Sequence, residues 1–226
     1  MSIKLENIAK SFSKPQQKLK VLENINLEIK DKDMLVIFGR SGAGKTTLLN
    51  LIGGMDQPTS GKVIVDGQDL STLKPEQLAK FRKDKIGFVF QAFNLLGNLK
   101  AQDNIILPVM LDKDAQAKIA KINAFAVEMN MQERLGHRPG ELSLGEQQRV
   151  AILRAMINRP AIILADEPTA HLDGENSAKV IAIFKRLNRE YGTTIILVTD
   201  HEGVAENFQQ RFTLQNNGDV PIFLEP

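Results

Sequence analysis

Cysteine is absent from the 226 residues, which excludes disulfides and any cysteine-ligated metal. A reducing compartment is compatible with that absence, which does not prove one. An excess of either charge is missing too: 29 Lys and Arg against 27 Asp and Glu leave a net charge of +2. That balance implies neither nucleic acid nor a membrane surface as a partner. The local basic cluster of Lys80, Arg82, Lys83 and Lys85 reads as a solvated face. Long hydrophobic runs are missing as well. The longest, Ile105 to Leu111, is far short of the ~20 residues that span a bilayer. Residues 1–10 carry charges where a secretory leader needs an apolar core. The chain is therefore expected to be soluble by itself, so that any membrane role needs a partner. There is no internal repeat and no low-complexity segment. What is present is ordinary globular composition, 42% hydrophobic and 25% charged, in a chain long enough to bury a sizeable core.

The chain is organised around Val36-Ile37-Phe38-Gly39-Arg40-Ser41-Gly42-Ala43-Gly44-Lys45-Thr46-Thr47. The apolar run Met34 to Phe38 predicts a buried strand, and Thr46 to Ile52 a helix. The turn between them fits the phosphate-loop pattern G-x-x-x-x-G-K-[ST]. Glycines allow a tight turn that points several N–H groups at one anion, and the helix N-terminus adds its positive end. Lys45 is expected to reach the β- and γ-phosphates, and the Thr46 hydroxyl to ligate Mg²⁺. Chance produces this pattern in about 1% of chains of this length at average composition. The flanking strand and helix lower that further.

Around this motif the pattern predicts an α/β fold. Ser2 to Asn7 and Lys20 to Ile29 alternate as half-buried antiparallel strands, joined by a loop over Ser13 to Lys18. Gly53-Gly54 ends the first helix. Gly61 to Val65 is a strand with a hairpin signal at Asp66-Gly67. Pro75 to Arg82 reads as a short helix, and Ile86 to Phe90 as a strand ending at Gln91. From Ala92 the character changes to helical spacing, with Ala115, Ile119, Ile122, Ala126 and Met129 on one face. Helices are predicted over 146–157 and 175–189, buried strands over 161–165 and 194–198, and two terminal strands over 211–215 and 220–224. Strands alternating with helices indicate a parallel sheet. The whole is one domain, with residues 1–91 and 159–226 as core plus β subdomain. Residues 92–158 form an inserted helical subdomain.

Two further stretches carry chemistry. Ile162 to Ala165 delivers Asp166 and Glu167 at a strand's C-terminal end, where open α/β sheets bind ligands. Asp166 would hold the Mg²⁺ shell, and Glu167 would orient or deprotonate the attacking water. Alone, this reads equally well as a buried strand that stops at acidic residues. The second stretch is Leu142-Ser143-Leu144-Gly145-Glu146-Gln147-Gln148-Arg149. Ser and Gly before a helix bind an anion or simply cap the helix.

Taken together, these residues resemble the ATPase subunit of ABC transporters. Gly39 to Thr46 is similar to the Walker A motif, Ile162 to Glu167 to Walker B, and Gln91 to the Q-loop glutamine. Leu142 to Gln147 is similar to the signature motif and Leu172-Asp173 to the end of the D-loop. Lys85 to Gln91, Phe93 to Leu96 and Glu146 to Ala151 are similar to the lipoprotein-release and macrolide-export branch. The resemblance covers nearly the whole chain. It implies ATP and Mg²⁺ as cofactors. Phe12 would stack on adenine, and Gly39, Arg40, Ser41, Gly42, Ala43, Gly44, Lys45, Thr46 and Thr47 would hold the phosphates. Ser143, Gly145 and Glu146 would reach the ATP of a second copy. Thr46, Gln91 and Asp166 would lie around the metal, with Glu167, Gln91 and His201 in catalysis. It further implies a head-to-tail homodimer beneath a transmembrane permease, at the cytoplasmic face of the cell membrane.

Three positions depart from the pattern. Leu144 stands for the first signature glycine, bulky and unsuited to positive φ. Asp200 fills the slot of the switch histidine, with His201 one residue late. His171 precedes Leu172-Asp173 in place of a small or amide residue. An ATP-hydrolysing transport subunit is the leading expectation. An ATP-gated structural or regulatory dimer with little turnover is the alternative, favoured by Leu144 and Asp200. A soluble repair or translation ATPase of this fold is a third, disfavoured because these residues hold no long coiled coil and no second cassette. The segment Phe93 to Leu111 is expected to dock the permease.

Overall fold

The computed structural model describes residues 1–14, 17–214 and 222–224. Two sheets make the frame. In the first, β1 (Ile3–Lys14) pairs antiparallel with β2 (Gln17–Ile29) on one side and β4 (Ser60–Val65) on the other. The short β5 (Gln68–Asp69) extends it, giving the order β2-β1-β4-β5. The β4–β5 hairpin turns on Asp66 and Gly67 at φ 52° and 80°. Both residues are left-handed, as a two-residue type I′ turn requires.

The second sheet runs β10-β9-β3-β8-β7-β6. Its strands are β3 (Met34–Phe38), β6 (Ile86–Val89), β7 (Ile162–Asp166), β8 (Thr194–Thr199), β9 (Gln210–Thr213) and β10 (Ile222–Leu224). All neighbouring pairs are parallel except β9 with β10. The order puts β8 between β3 and β7, so the ends of these three strands lie side by side. The predicted terminal strands extended into 215–221, which lies outside the described residues, as do Pro15 and Gln16 of the predicted first loop.

Strand alternation divides the core. Ile163, Ala165, Ile195 and Leu197 face one hydrophobic layer, and Ile162, Leu164, Ile196 and Val198 the other. The second layer is closed by the antiparallel sheet and α1 (Lys45–Ile52). The first is closed by α3 (Ala101–Ile106), α4 (Ala115–Glu128), α5 (Leu144–Met156) and α6 (Gly174–Tyr191). α2 (Pro75–Lys85) and α7 (Glu202–Ala205) complete the chain. A strand buried on both faces reads as a continuous apolar run, which is why 162–165 and 195–198 were legible.

Some boundaries move. α2 runs three residues past its predicted end; Lys80 pairs with Asp84 at 2.8 Å, an i,i+4 contact that supports the last turn. The basic cluster there is largely engaged: Arg82 donates to the Gly54 carbonyl at 2.9 Å, and Lys83 pairs with Asp112. α5 starts at Leu144, two residues before the predicted start, because Ser143 and Glu146 cap it reciprocally.

Candidate functional site

The C-terminal ends of β3, β8 and β7 meet at one edge of the parallel sheet. Phe38 lies opposite Thr199, and Asp166 opposite Val198. The Gly39 N–H donates to the Thr199 carbonyl at 3.2 Å, and the Glu167 N–H to the Val198 carbonyl at 3.0 Å. Main-chain bonds therefore carry the ladder one residue past each strand and fix the loops that follow.

The loop from Gly39 to Gly44 closes on itself through the Ala43 N–H and the Arg40 carbonyl, 3.1 Å apart. Gly44 caps α1 at φ 93°, without any side-chain cap. A Cβ at Gly44 would lie 2.9 Å from Leu22 Cδ2 and 3.0 Å from Val21 Cγ1, so both conformation and space demand glycine. The N–H groups of Lys45, Thr46 and Thr47 have no intrahelical acceptor, by helix geometry. No acidic residue occupies this first turn. The helix end thus presents donors and positive potential to whatever anion enters.

Lys45 is buried at the centre. Its Nζ donates to the carbonyls of Gly39 at 2.8 Å and Arg40 at 3.2 Å, and lies 3.2 Å from Glu167 Oε1. The Thr46 hydroxyl donates to Asp166 Oδ1 at 3.1 Å. Burial pushes the Asp166 carboxyl above its ordinary value, with Thr46 and Lys45 partly offsetting it. Burial also raises Glu167; Lys45 opposes this and the charge of Asp200 adds to it. Glu167 takes φ 45°, a left-handed conformation that costs a non-glycine residue energy and turns its side chain out of the strand. The Asp200 N–H donates to Glu167 Oε2 at 3.3 Å.

These groups border an open cleft of about 920 Å³, within the range of ligand sites. Ser41, Gly42, Gly44, Lys45, Thr46, Thr47, Gln91, Glu167 and His201 all line it, and so does Asp200. Asp166 joins through Thr46, and the carbonyls of Gly39 and Arg40 through Lys45. Phe12 is not among the lining residues. It sits on β1 opposite Leu19, exposed, with the Lys10 ammonium 5.0 Å from its ring centre.

Ser143, Gly145 and Glu146 also stand away from this cleft. Ser143 Oγ accepts from the Glu146 N–H at 3.3 Å, while Glu146 accepts from the Ser143 N–H at 2.8 Å and pairs with Arg134 at 2.9 Å. Both side chains are thus committed to capping α5. Gly145 is buried where a Cβ would meet Asn176 Oδ1 at 3.0 Å, so glycine lets α5 pack against the start of α6. Leu144 is the first residue of α5, 48% exposed, and is not among the residues with positive φ. The expected backbone conflict there does not arise, because a helical first turn suits any side chain.

Other residues line the cleft without belonging to a motif. Val21 comes from β2 against Gly44, and Thr199 is fully buried, its hydroxyl accepting from the His201 N–H at 3.1 Å. His171, in sequence only a departure from the family pattern, lines the cleft and meets the Phe93 ring edge to face. Strand alternation marked Val21 as inward-facing and nothing more.

The family described as "ABC transporter" matches residues 22–170. The macrolide export ATP-binding/permease protein MacB of Syntrophobacter fumaroxidans is 43% identical over 210 residues, 90% of this chain and 29% of that protein. MacB of Vibrio parahaemolyticus is 40% identical, covering 96% of this chain and 33% of its own length. The chain thus spans about a third of these relatives. The ABC transporter ATP-binding protein MJ0796 of Methanocaldococcus jannaschii, itself described as uncharacterized, is 41% identical over 96% of this chain and 94% of its own. A solved dimer of MJ0796 in a post-hydrolysis state, bound to ADP and Pi, aligns with TM-score 0.87, 37% identity and 99% coverage of both chains.

Proposed function

The chain belongs to the ABC transporter family, and from that premise we propose that it binds and hydrolyses ATP as the motor subunit of a transporter. One observation carries the reading. Lys45, Thr46–Asp166 and Glu167 converge on one cleft, while the signature residues Ser143 and Leu144 are exposed elsewhere. The site is half a site, and a second copy facing it head to tail would supply the other half. The dimeric state of the MJ0796 structures supports that arrangement.

Within it, the N–H groups of α1's first turn and Lys45 hold the β- and γ-phosphates, and Phe12 stacks on the adenine. Mg²⁺ fits the donors present. Among the described residues no group of three His, Cys, Asp or Glu could hold a metal alone. Thr46, Asp166 and Gln91 suit an ion that takes phosphate oxygens and water for most of its shell. When bound it neutralises phosphate charge. Glu167 orients the attacking water and takes its proton; its raised carboxyl makes it a stronger base. His201 or Asp200 faces the γ-phosphate from the loop after β8.

The permease meets the apolar surface after Gln91. This surface is narrower than the sequence suggested. Phe93 and Ile105 are buried, whereas Leu96, Leu107, Met110 and Leu111 are exposed, Leu111 at 93%. Among the described residues no helix is long and apolar enough to cross a membrane. The proposed cargo is an amphiphile or lipoprotein, from the resemblance of the motif residues to the lipoprotein-release and macrolide-export branch; two relatives are named for macrolide export. The motor lies at the cytoplasmic face of that membrane.

A second reading, an ATP-gated dimer with little turnover, draws on Leu144 at the partner-facing end of α5 and on Asp200 beside Glu167. Phosphate release by the purified chain, compared with Glu167→Gln, separates the two. Release that falls by about 100-fold or more in the variant supports the motor. Equal, near-zero rates in both support the gated dimer.

A further inference from the structure

Arg154 lies in the last turn of α5 and reaches back to the segment that follows Gln91. Its Nη1 donates to the Asn94 carbonyl and its Nη2 to the Phe93 carbonyl, each at 2.6 Å. The two carbonyls belong to consecutive left-handed residues, Phe93 at φ 59° and Asn94 at φ 49°. Asn tolerates that region; Phe does so at a cost. Such a bend persists only where its surroundings over-determine it.

The surroundings here do so from three sides. The guanidinium is a planar fork, and two carbonyls in fixed register fix the bend's orientation as well as its position. The buried Phe93 ring meets the His171 ring edge to face, with centroids 6.1 Å apart and planes at 75°. Beyond the bend, the fully buried Asn104 accepts from the Leu96 N–H at 2.7 Å. It donates to the carbonyls of Leu96 and Lys100 at 3.1 Å each. The stretch from Gln91 to Lys100 is therefore braced along its length, although it is neither helix nor strand.

The bend joins parts that do different work. Gln91 lies just before it in the cleft, and His171 reaches it from the loop after Glu167. α5 carries Ser143 at one end and Arg154 near the other, about 16 Å apart at helical rise. We propose that Arg154 is a positioning residue that fastens the Phe93–Asn94 bend to α5. Through it the signature end of α5, Gln91 and the exposed face from Leu96 to Leu111 move as one body when nucleotide binds. The proposal rests on the reading of the cleft as a nucleotide site and of that face as the docking surface.

The test uses the absence of cysteine. Leu96→Cys gives a unique attachment point for an environment-sensitive fluorophore on the exposed face, in a Glu167→Gln background that holds MgATP without turnover. MgATP changes the emission of this protein. Adding Arg154→Lys, which keeps the charge and loses the fork, shrinks that change about threefold or more. ATP affinity by calorimetry stays within about twofold, since Arg154 does not touch the cleft. Arg154→Ala would remove packing as well as the fork, so Arg154→Lys carries the test. A full emission change in Arg154→Lys overturns the proposal and leaves the nucleotide site standing. So does a loss of ATP affinity parallel to the loss of signal, which would make Arg154 a structural residue only. A silent label with normal ATP binding overturns the proposal together with the moving docking face. Absent ATP binding in the parent overturns the cleft reading itself.

Discussion

At the residue scale, Glu167 concentrates the chemistry and its cost. Its carboxyl is raised by burial, and Lys45 only partly offsets this. The sign follows from linkage. Stability associated with a raised carboxyl is complete below its unfolded value and is lost as pH rises through the folded value. At neutral pH the ionised group therefore opposes folding. Glu167→Gln should melt about 2–4 °C higher than the parent near pH 7.5, with the gain fading toward about pH 4. Thermal melts at the two pH values check this. A lower melting temperature at neutral pH would mean that the Lys45 pair dominates. Asp200 is the second residue to weigh. When ionised it can only accept a hydrogen bond, whereas a γ-phosphate needs a donor there. Loss of one well-placed donor costs about 100- to 1,000-fold in rate. The triple variant Leu144→Gly, Asp200→His, His201→Asp should therefore raise turnover by about tenfold or more with little change in ATP affinity. Steady-state phosphate release decides it; an unchanged rate would show that His201, beside Gly203 at the cleft, already serves.

At the element scale, caps and turns account for what the sequence revealed. The alternation of β1 and β2, the apolar runs of β3, β7 and β8, and the 3.6-residue period of α6 were legible because burial imposes those periods directly. The Asp66-Gly67 hairpin was legible because few residue pairs accept two left-handed conformations. The start of α5 was misjudged by two residues, since the Ser143–Glu146 capping box placed Leu144 and Gly145 inside the helix. The stretch from Gln91 to Lys100 was not legible. Its order comes from Asn104, an ordinary polar residue in sequence and a fully buried hub in space. Asn104→Ala leaves the Leu96 N–H and its neighbouring carbonyls without their partner. It should cost about 1–3 kcal/mol, read from the urea midpoint at unchanged slope. A loss below about 0.5 kcal/mol would mean that water replaces the amide at little cost.

At the scale of the whole molecule, the proposed nucleotide site is half of a two-copy arrangement. On that reading the cleft would present one set of groups to the phosphates, while the capped end of α5 presents Leu144 to solvent. Two copies in head-to-tail register would bury both. We expect Glu167→Gln protein to elute as a monomer alone and as a dimer with MgATP. The dimer should be lost on chelating Mg²⁺ or on adding Lys45→Ala, because ligand that binds only the dimer drives its formation by mass action. Size-exclusion chromatography with light scattering reads this directly. A monomer under all conditions would sink the head-to-tail site.

The sequence by itself determined the glycine-rich turn that opens α1, and so which groups are proposed to hold a phosphate. Gly42, Gly44, Lys45 and Thr46 form a local pattern, and local patterns survive in one dimension because neighbours in the chain are neighbours in space. It likewise determined that Asp166 and Glu167 end a buried strand. Only the tertiary structure decided that these two motifs, 120 residues apart, share one hydrogen bond from Thr46 to Asp166, because strand order is set by how the sheet packs. It also decided that Ser143 and Glu146 cap a helix away from the cleft, and that Phe93 turns inward onto His171. The path by which Arg154 holds the bend after Gln91 was likewise decided in three dimensions. Such contacts depend on side chains far apart in sequence whose meeting is fixed by burial, and no spacing along the chain encodes them.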